Sequence, residues 1–96
     1  MKRLRWSLAA ASDLEAIANY LHLNHPSFAA ETIQKLYASV QSLKNFPFSG
    51  RIGRKPGTRE LVLAPLPYLL VYSVDENAIH ILRFLHTSRD LPRDAQ

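Results

Sequence analysis

The sequence predicts an α+β fold of order β-α-α-β-β-β, an antiparallel sheet packed against a helical hairpin. Three observations carry this expectation. Two consecutive segments place apolar residues at helical spacing: Leu14, Ile17, Ala18 and Leu21 in the first, then Ala29, Ile33, Leu36, Val40 and Leu43 in the second. Three β-rich runs follow, at residues 58–63, 68–74 and 79–85, joined by links of hairpin length. Finally, 96 residues of which 47% are hydrophobic supply one core, because a second would require roughly 50 more residues. The chain is expected to be a single domain, 1–96.

Along the chain, residues 3–9 place Trp6 and Leu8 at alternating positions, a short strand that gives way to the alanine run 9–11. Ser12-Asp13-Leu14-Glu15 has the capping-box pattern, in which the serine hydroxyl accepts from a first-turn amide and the glutamate reaches back. A helix over 13–24 follows, closed by Asn24-His25-Pro26, since a residue before proline avoids the α region. Pro26 suits the first turn of a second helix, 26–46, because its missing N–H costs nothing there. So short a link folds the helices into an antiparallel hairpin, each stripe facing a common sheet.

Residues 46–57 hold two of the six prolines and all three glycines together with Arg51, Arg54 and Lys55, a basic loop. The last three strands then form a meander, with the first strand added at an edge or beside the last. The expected core is Leu14, Ile17, Leu21, Ile33, Leu36, Val40, Leu70 and Ile81. Residues 87–96 are polar and expected to be irregular.

The absence of cysteine removes disulfides, thiolate metal sites and cysteine nucleophiles together, and makes the cytoplasm the expected compartment. No apolar run approaches the ~18 residues of a membrane span, and the stretch 61–74 is broken by Pro65 and Pro67. The basic start Lys2-Arg3 is followed by Asp13 and Glu15 where an export signal would need its apolar segment, so neither export nor a membrane is expected. A net charge of +4 favours polyanionic partners.

Helices on one side leave the other face of the sheet open, and positive charge is what the sequence offers there. Arg51, Arg54, Lys55 and Arg59, Arg83 of the last strand, and Arg89 and Arg93 of the tail are candidates to converge on an anionic partner. Four histidines are the neutral-pH acid–base candidates. His22 and His25 lie i, i+3 at a helix end with no further ligand nearby, so no metal is expected. His80 shares the parity of Leu82 and Phe84 and is expected to pack. His86 ends the last strand beside Thr87, Ser88 and Arg89, where a side chain can meet a substrate at the sheet rim. Gly50, Gly53 and Gly57 match neither a Walker nor a Rossmann loop, and no cofactor is expected.

Residues 50–61 (GRIGRKPGTREL), 67–72 (PYLLVY) and 81–89 (ILRFLHTSR), with the helical hairpin before them, resemble the RelE/ParE family over nearly the whole chain. These are toxins of type II toxin–antitoxin systems, a class tied to plasmid stabilization. The resemblance implies a cognate antitoxin whose disordered segment folds over the toxin, giving a hetero-oligomer. Trp6, Arg83 and Arg89 are the expected antitoxin-binding residues. RelE-like members are mRNA interferases: metal-independent endoribonucleases that cut message in the ribosome by orienting a 2′-hydroxyl with basic and acid–base side chains. ParE-like members are DNA gyrase inhibitors that act by binding.

The RNA-cleaving members usually carry an arginine immediately after the first aromatic or polar residue of the segment matching Tyr68-Leu69-Leu70-Val71-Tyr72, where it can stabilise transition-state charge. This chain has Leu69. His86 falls where some of them keep a catalytic histidine, but ParE-like members often share it, so it does not discriminate. The resemblance therefore favours gyrase inhibition, with Arg51, Arg54, Lys55, Arg59 and Arg89 as target-binding residues. The ribonuclease alternative would use His86, Arg83 and Arg59 as catalysts and the same basic residues on RNA, and a third alternative is a degenerate toxin that only binds its antitoxin.

Overall fold

A computed structural model of the chain describes residues 2–90. Seven elements run in the order β1 (Arg3–Trp6), α1 (Leu8–Asn24), α2 (Pro26–Ser42), β2 (Arg51–Ile52), β3 (Arg59–Val62), β4 (Tyr68–Val74) and β5 (Ala78–His86). The expected α+β order holds, with one added strand. The sheet order is β1-β5-β4-β3-β2. β1 lies at an edge and beside the last strand at once, but it runs parallel to β5, so the sheet is mixed rather than wholly antiparallel. The long connection from β1 to β5, through both helices and the three intervening strands, supplies the crossover that a parallel pair requires.

The first helix starts at Leu8, not at residue 13. Ser7 is extended (φ −72°, ψ 159°) and its hydroxyl accepts from the Ala10 amide at 2.9 Å while donating to the Leu82 carbonyl, also at 2.9 Å. The alanine run is thus the first turn of the helix, as the strongest helix former should be, and Ser12 is an exposed interior residue. The second helix ends at Ser42 rather than 46. The Ser39 and Ser42 hydroxyls bond back to the carbonyls of Lys35 and Ser39, and Phe46 precedes a proline, so the last turn has competitors and no continuation.

Of the expected core, Leu14, Ile17, Leu21, Leu36, Val40, Leu70 and Ile81 are buried, and Ile33 is half-buried against them. The helical stripes meet the sheet face formed by Ile79, Ile81 and Phe84 of β5 and Leu70 and Tyr72 of β4. Tyr72 pairs with Ile81 and Val71 with Arg83, which leaves Leu82 as a bulge in β5. The bulge re-phases the strand, so Ile81 and Phe84 both reach the core although three residues separate them. His80, expected to pack with the parity of Phe84, lies instead on the uncovered face, half-exposed and 2.7 Å from Asp75. Among the described residues no helix is long and apolar enough to cross a membrane.

Candidate functional site

Strand register decides which of the basic and acid–base residues can share a site. Arg51, Glu60, Val71 and Arg83 form one row across β2, β3, β4 and β5 on the face away from the helices. Glu60 is the centre of the row and only 6% exposed. Its carboxylate accepts from the Arg54 amide at 3.1 Å and from the Arg51 guanidinium at 3.4 Å, which pins the basic loop over the strand. A hollow of about 290 Å³ lies among Arg54, Lys55, Thr58, Glu60 and Arg83. Leu69 shares the face of Val71, two residues earlier in β4, and is 1% exposed.

Arg83 leaves the sheet on the open face, but its guanidinium turns over the β5 edge to the first helix. Its guanidinium reaches Asp13 of α1 through Nε at 2.7 Å and Nη2 at 3.1 Å, and the Phe84 amide donates to the same carboxylate at 3.0 Å. β1 pairs with β5 no further than Ile81, so Asp13 covers the edge that β1 leaves open. The hydrogen bonds from Arg83 to Asp13, and the charge of that carboxylate, raise the guanidinium pKa above its ordinary value.

His86 stands elsewhere, at the end of β5 opposite Tyr68. Its Nδ1 accepts from the Ser88 amide at 3.2 Å and lies 3.0 Å from the Ser88 hydroxyl. The neutral ring therefore carries its proton on Nε2, an assignment made from the hydrogen bonds. Tyr68 packs edge-on against it, with centroids 5.5 Å apart. Burial raises the Tyr68 pKa, opposed by the charge of Arg89, so the phenol stays neutral in the physiological range. A cavity of about 160 Å³ lies among Asp13, Tyr20, Tyr68, His86 and Arg89.

The expected basic face does not form as one surface. Arg51, Arg54, Lys55 and Arg83 gather on the open face, Arg89 lies beside His86, and Arg93 falls outside the described residues. Arg59 pairs in register with Tyr72, whose side chain enters the core, so it belongs to the helix side of the sheet. There its Nη1 donates to the Gly50 carbonyl at 2.8 Å and its guanidinium lies 4.9 Å from the Phe48 ring centroid. Of the ribonuclease set, Arg59 thus stands apart, whereas Arg83 and His86 both lie beside Asp13 and Asp90. The bulge at Leu82 precedes Arg83, and Phe84 and Leu85 pair regularly with Leu70 and Leu69, so Arg83 and His86 remain on opposite faces.

Trp6 lies on the helix side, 5.9 Å from Tyr37 and 5.8 Å from Phe84 between ring centroids. With Ala11, Leu14, Glu15, Ile33 and Tyr37 it lines a groove of about 440 Å³. Arg83 and Arg89, the other expected antitoxin contacts, are not among its lining residues. Sequence reasoning missed Asp13 and Glu60. Asp13 was absorbed into a capping box, while Glu60 carries a signal of its own, a lone acid directly after a basic loop. Among the described residues no group of three or more His, Asp or Glu is placed to hold a metal ion.

Residues 4–91 match the family described as the ParE toxin of the type II toxin–antitoxin system parDE. Y4kP of Sinorhizobium fredii, named a toxin, is 37% identical over 92 residues, 96% of this chain and 95% of that one. Toxin RelE2 of Caulobacter vibrioides is 34% identical over 89 residues, covering 93% and 99% of the two chains. A chain of the chromosomal ParDE system from P. aeruginosa superposes with a TM-score of 0.80 at 30% identity, over 90% of this chain and 96% of that one.

Proposed function

Because the chain belongs to the ParE family of type II toxin–antitoxin toxins, we propose that it arrests growth by binding and inhibiting DNA gyrase. The observation that carries this reading is the dispersal of the acid–base and phosphate-clamping groups. Cutting RNA through its own 2′-hydroxyl requires a base, an acid and a cation around one phosphate. Here Arg83 is engaged by Asp13, His86 faces the other side of the sheet, and the position where a clamping arginine is expected is the buried Leu69. A binding poison needs none of these together.

The cognate antitoxin is its second partner, and the groove between Trp6, Ile33 and Tyr37 suits an amphipathic segment that inserts an apolar side chain. No cofactor enters this reading.

The reading is tested by inducing the toxin and following plasmid supercoiling and cleavage of ribosome-bound transcripts in parallel. Loss of supercoiling is expected, with His86→Ala leaving toxicity within about a few fold. The oriented imidazole of His86 beside Tyr68 is the one feature that favours a ribonuclease. If His86→Ala binds ribosomes normally but cleaves about 10²–10⁴-fold more slowly, that enzyme is the function and gyrase inhibition is not.

A further inference from the structure

At the β2 edge the protein holds apolar side chains out to solvent on a rigid support. Phe46, Phe48 and Ile52 are 66%, 63% and 81% exposed. The stretch 44–59 carries Lys44, Arg51, Arg54, Lys55 and Arg59; Arg51 is paired with Glu60, and the exposed Arg54 and Lys55 stand in the turn that joins β2 to β3. The support is the buried Tyr72, whose hydroxyl donates to the Pro47 carbonyl at 2.8 Å and accepts from the Gly50 amide at 2.9 Å. Arg59 ties the same loop to β3 through the Gly50 carbonyl and covers one side of the Phe48 ring. A hollow of about 330 Å³ opens among Phe48, Ile52, Arg59 and Val74. Aromatic and aliphatic groups fixed in place before binding lose little entropy when a partner covers them, which is how interface anchors are built.

We propose that this platform is the surface by which the toxin docks on its target, and that its occupant is an acidic protein segment carrying an apolar side chain. The apolar side chain fills the hollow beside Phe48 and Ile52 while its carboxylates reach round the β2 edge to Arg54 and Lys55 of the β2–β3 turn, whose Gly57 and Thr58 line the hollow. The proposal rests on the reading that the toxin acts by binding a protein, gyrase. A protein segment suits the surface better than single-stranded nucleic acid. Ile52 and Val74 give the hollow aliphatic walls, and Arg59 is already spent on Phe48 and the Gly50 carbonyl rather than free to stack a base. β2 and β1 are the two outer strands, four inter-strand steps apart, so the platform lies roughly 19 Å across the sheet from the strand that carries Trp6.

The experiment measures binding of Ile52→Asp, Phe48→Ala and Lys55→Glu to immobilised, purified bacterial gyrase, with thermal unfolding of each variant. Ile52 is exposed enough that its replacement leaves the fold intact. We expect Ile52→Asp and Phe48→Ala each to weaken binding at least about tenfold, and Lys55→Glu to slow association and flatten its salt dependence. If wild type binds gyrase and both apolar variants bind within about twofold of it, the platform is not the docking surface and the gyrase reading stands. Wild type that has no affinity for gyrase but cuts ribosome-bound message removes the reading and the proposal together. Selective loss of binding to a single-stranded RNA oligonucleotide in Ile52→Asp, with gyrase binding retained, also overturns it.

Discussion

At the scale of single residues, two carboxylates decide local order. Asp13 accepts three hydrogen bonds, two from Arg83 and one from the Phe84 amide, at an edge of β5 that has no strand partner. Hydrogen bonds to a charged acceptor are worth about 1.5–3 kcal/mol, so Asp13→Ala is expected to lower stability by roughly that much in urea denaturation, with Asp13→Asn milder because one acceptor survives. Asp75 is held at about 2, first by the hydrogen bond from His80 and then by the amides of Asn77 and Ala78. A depressed carboxylate contributes stability above its unfolded value and loses it as pH falls. Its contribution is therefore full above about 3.8 and disappears through about 2. Asp75→Asn should flatten the acid limb of a stability profile in that window. An NMR titration showing the Asp75 carboxyl at its ordinary value would remove the effect.

At the scale of elements, the start of α1 and the loop before β2 give separable tests. Ser7 caps α1 and also bonds to β5, whereas Ser12 is exposed within the helix. Ser7→Ala is expected to cost about 0.5–2 kcal/mol and Ser12→Ala close to nothing or a slight gain, measured by thermal denaturation; the reverse order would restore the capping box. The loop of residues 46–50 is stapled by the Tyr72 hydroxyl. Tyr72→Phe leaves the Gly50 amide without its acceptor in a buried place and should cost about 1–3 kcal/mol. A Cβ on Gly50 would stand 2.7 Å from the Tyr72 hydroxyl and 3.0 Å from the Glu60 carbonyl, so Gly50→Ala should loosen the same loop. Faster hydrogen exchange confined to this loop and β2 is the signature expected of both variants. In the turn between β2 and β3, Gly57 has φ +80°, a backbone conformation that favours glycine.

At the scale of the whole molecule, a +4 toxin meeting an acidic partner is expected to associate by electrostatic steering. Raising ionic strength from about 50 to 200 mM should slow association with gyrase by about tenfold and change dissociation little. A salt-independent association rate would show that the cations do not face the target.

How much of this was legible in the sequence differs by the range of the interaction. The two helical stripes, the β4 boundaries and all but one half-buried member of the expected core follow from residue spacing, because periodicity is local and burial follows it. The family was legible in the same way, from motifs of contiguous residues. The true start of α1 was not, since the capping-box pattern points to Ser12, whereas the cap is Ser7, whose hydroxyl also donates to the Leu82 carbonyl 75 positions away. Nor was the division of the arginines between faces. Arg51 and Arg59 lie on opposite sides because β2 pairs with β3, and the bulge at Leu82 shifts the phase of β5 before Arg83. Composition and periodicity thus determined the fold class, the core and the supply of positive charge. Tertiary structure alone decided which charges meet, because register and bulges are set by pairing between strands distant in sequence, and one residue of slip turns a side chain to the other face.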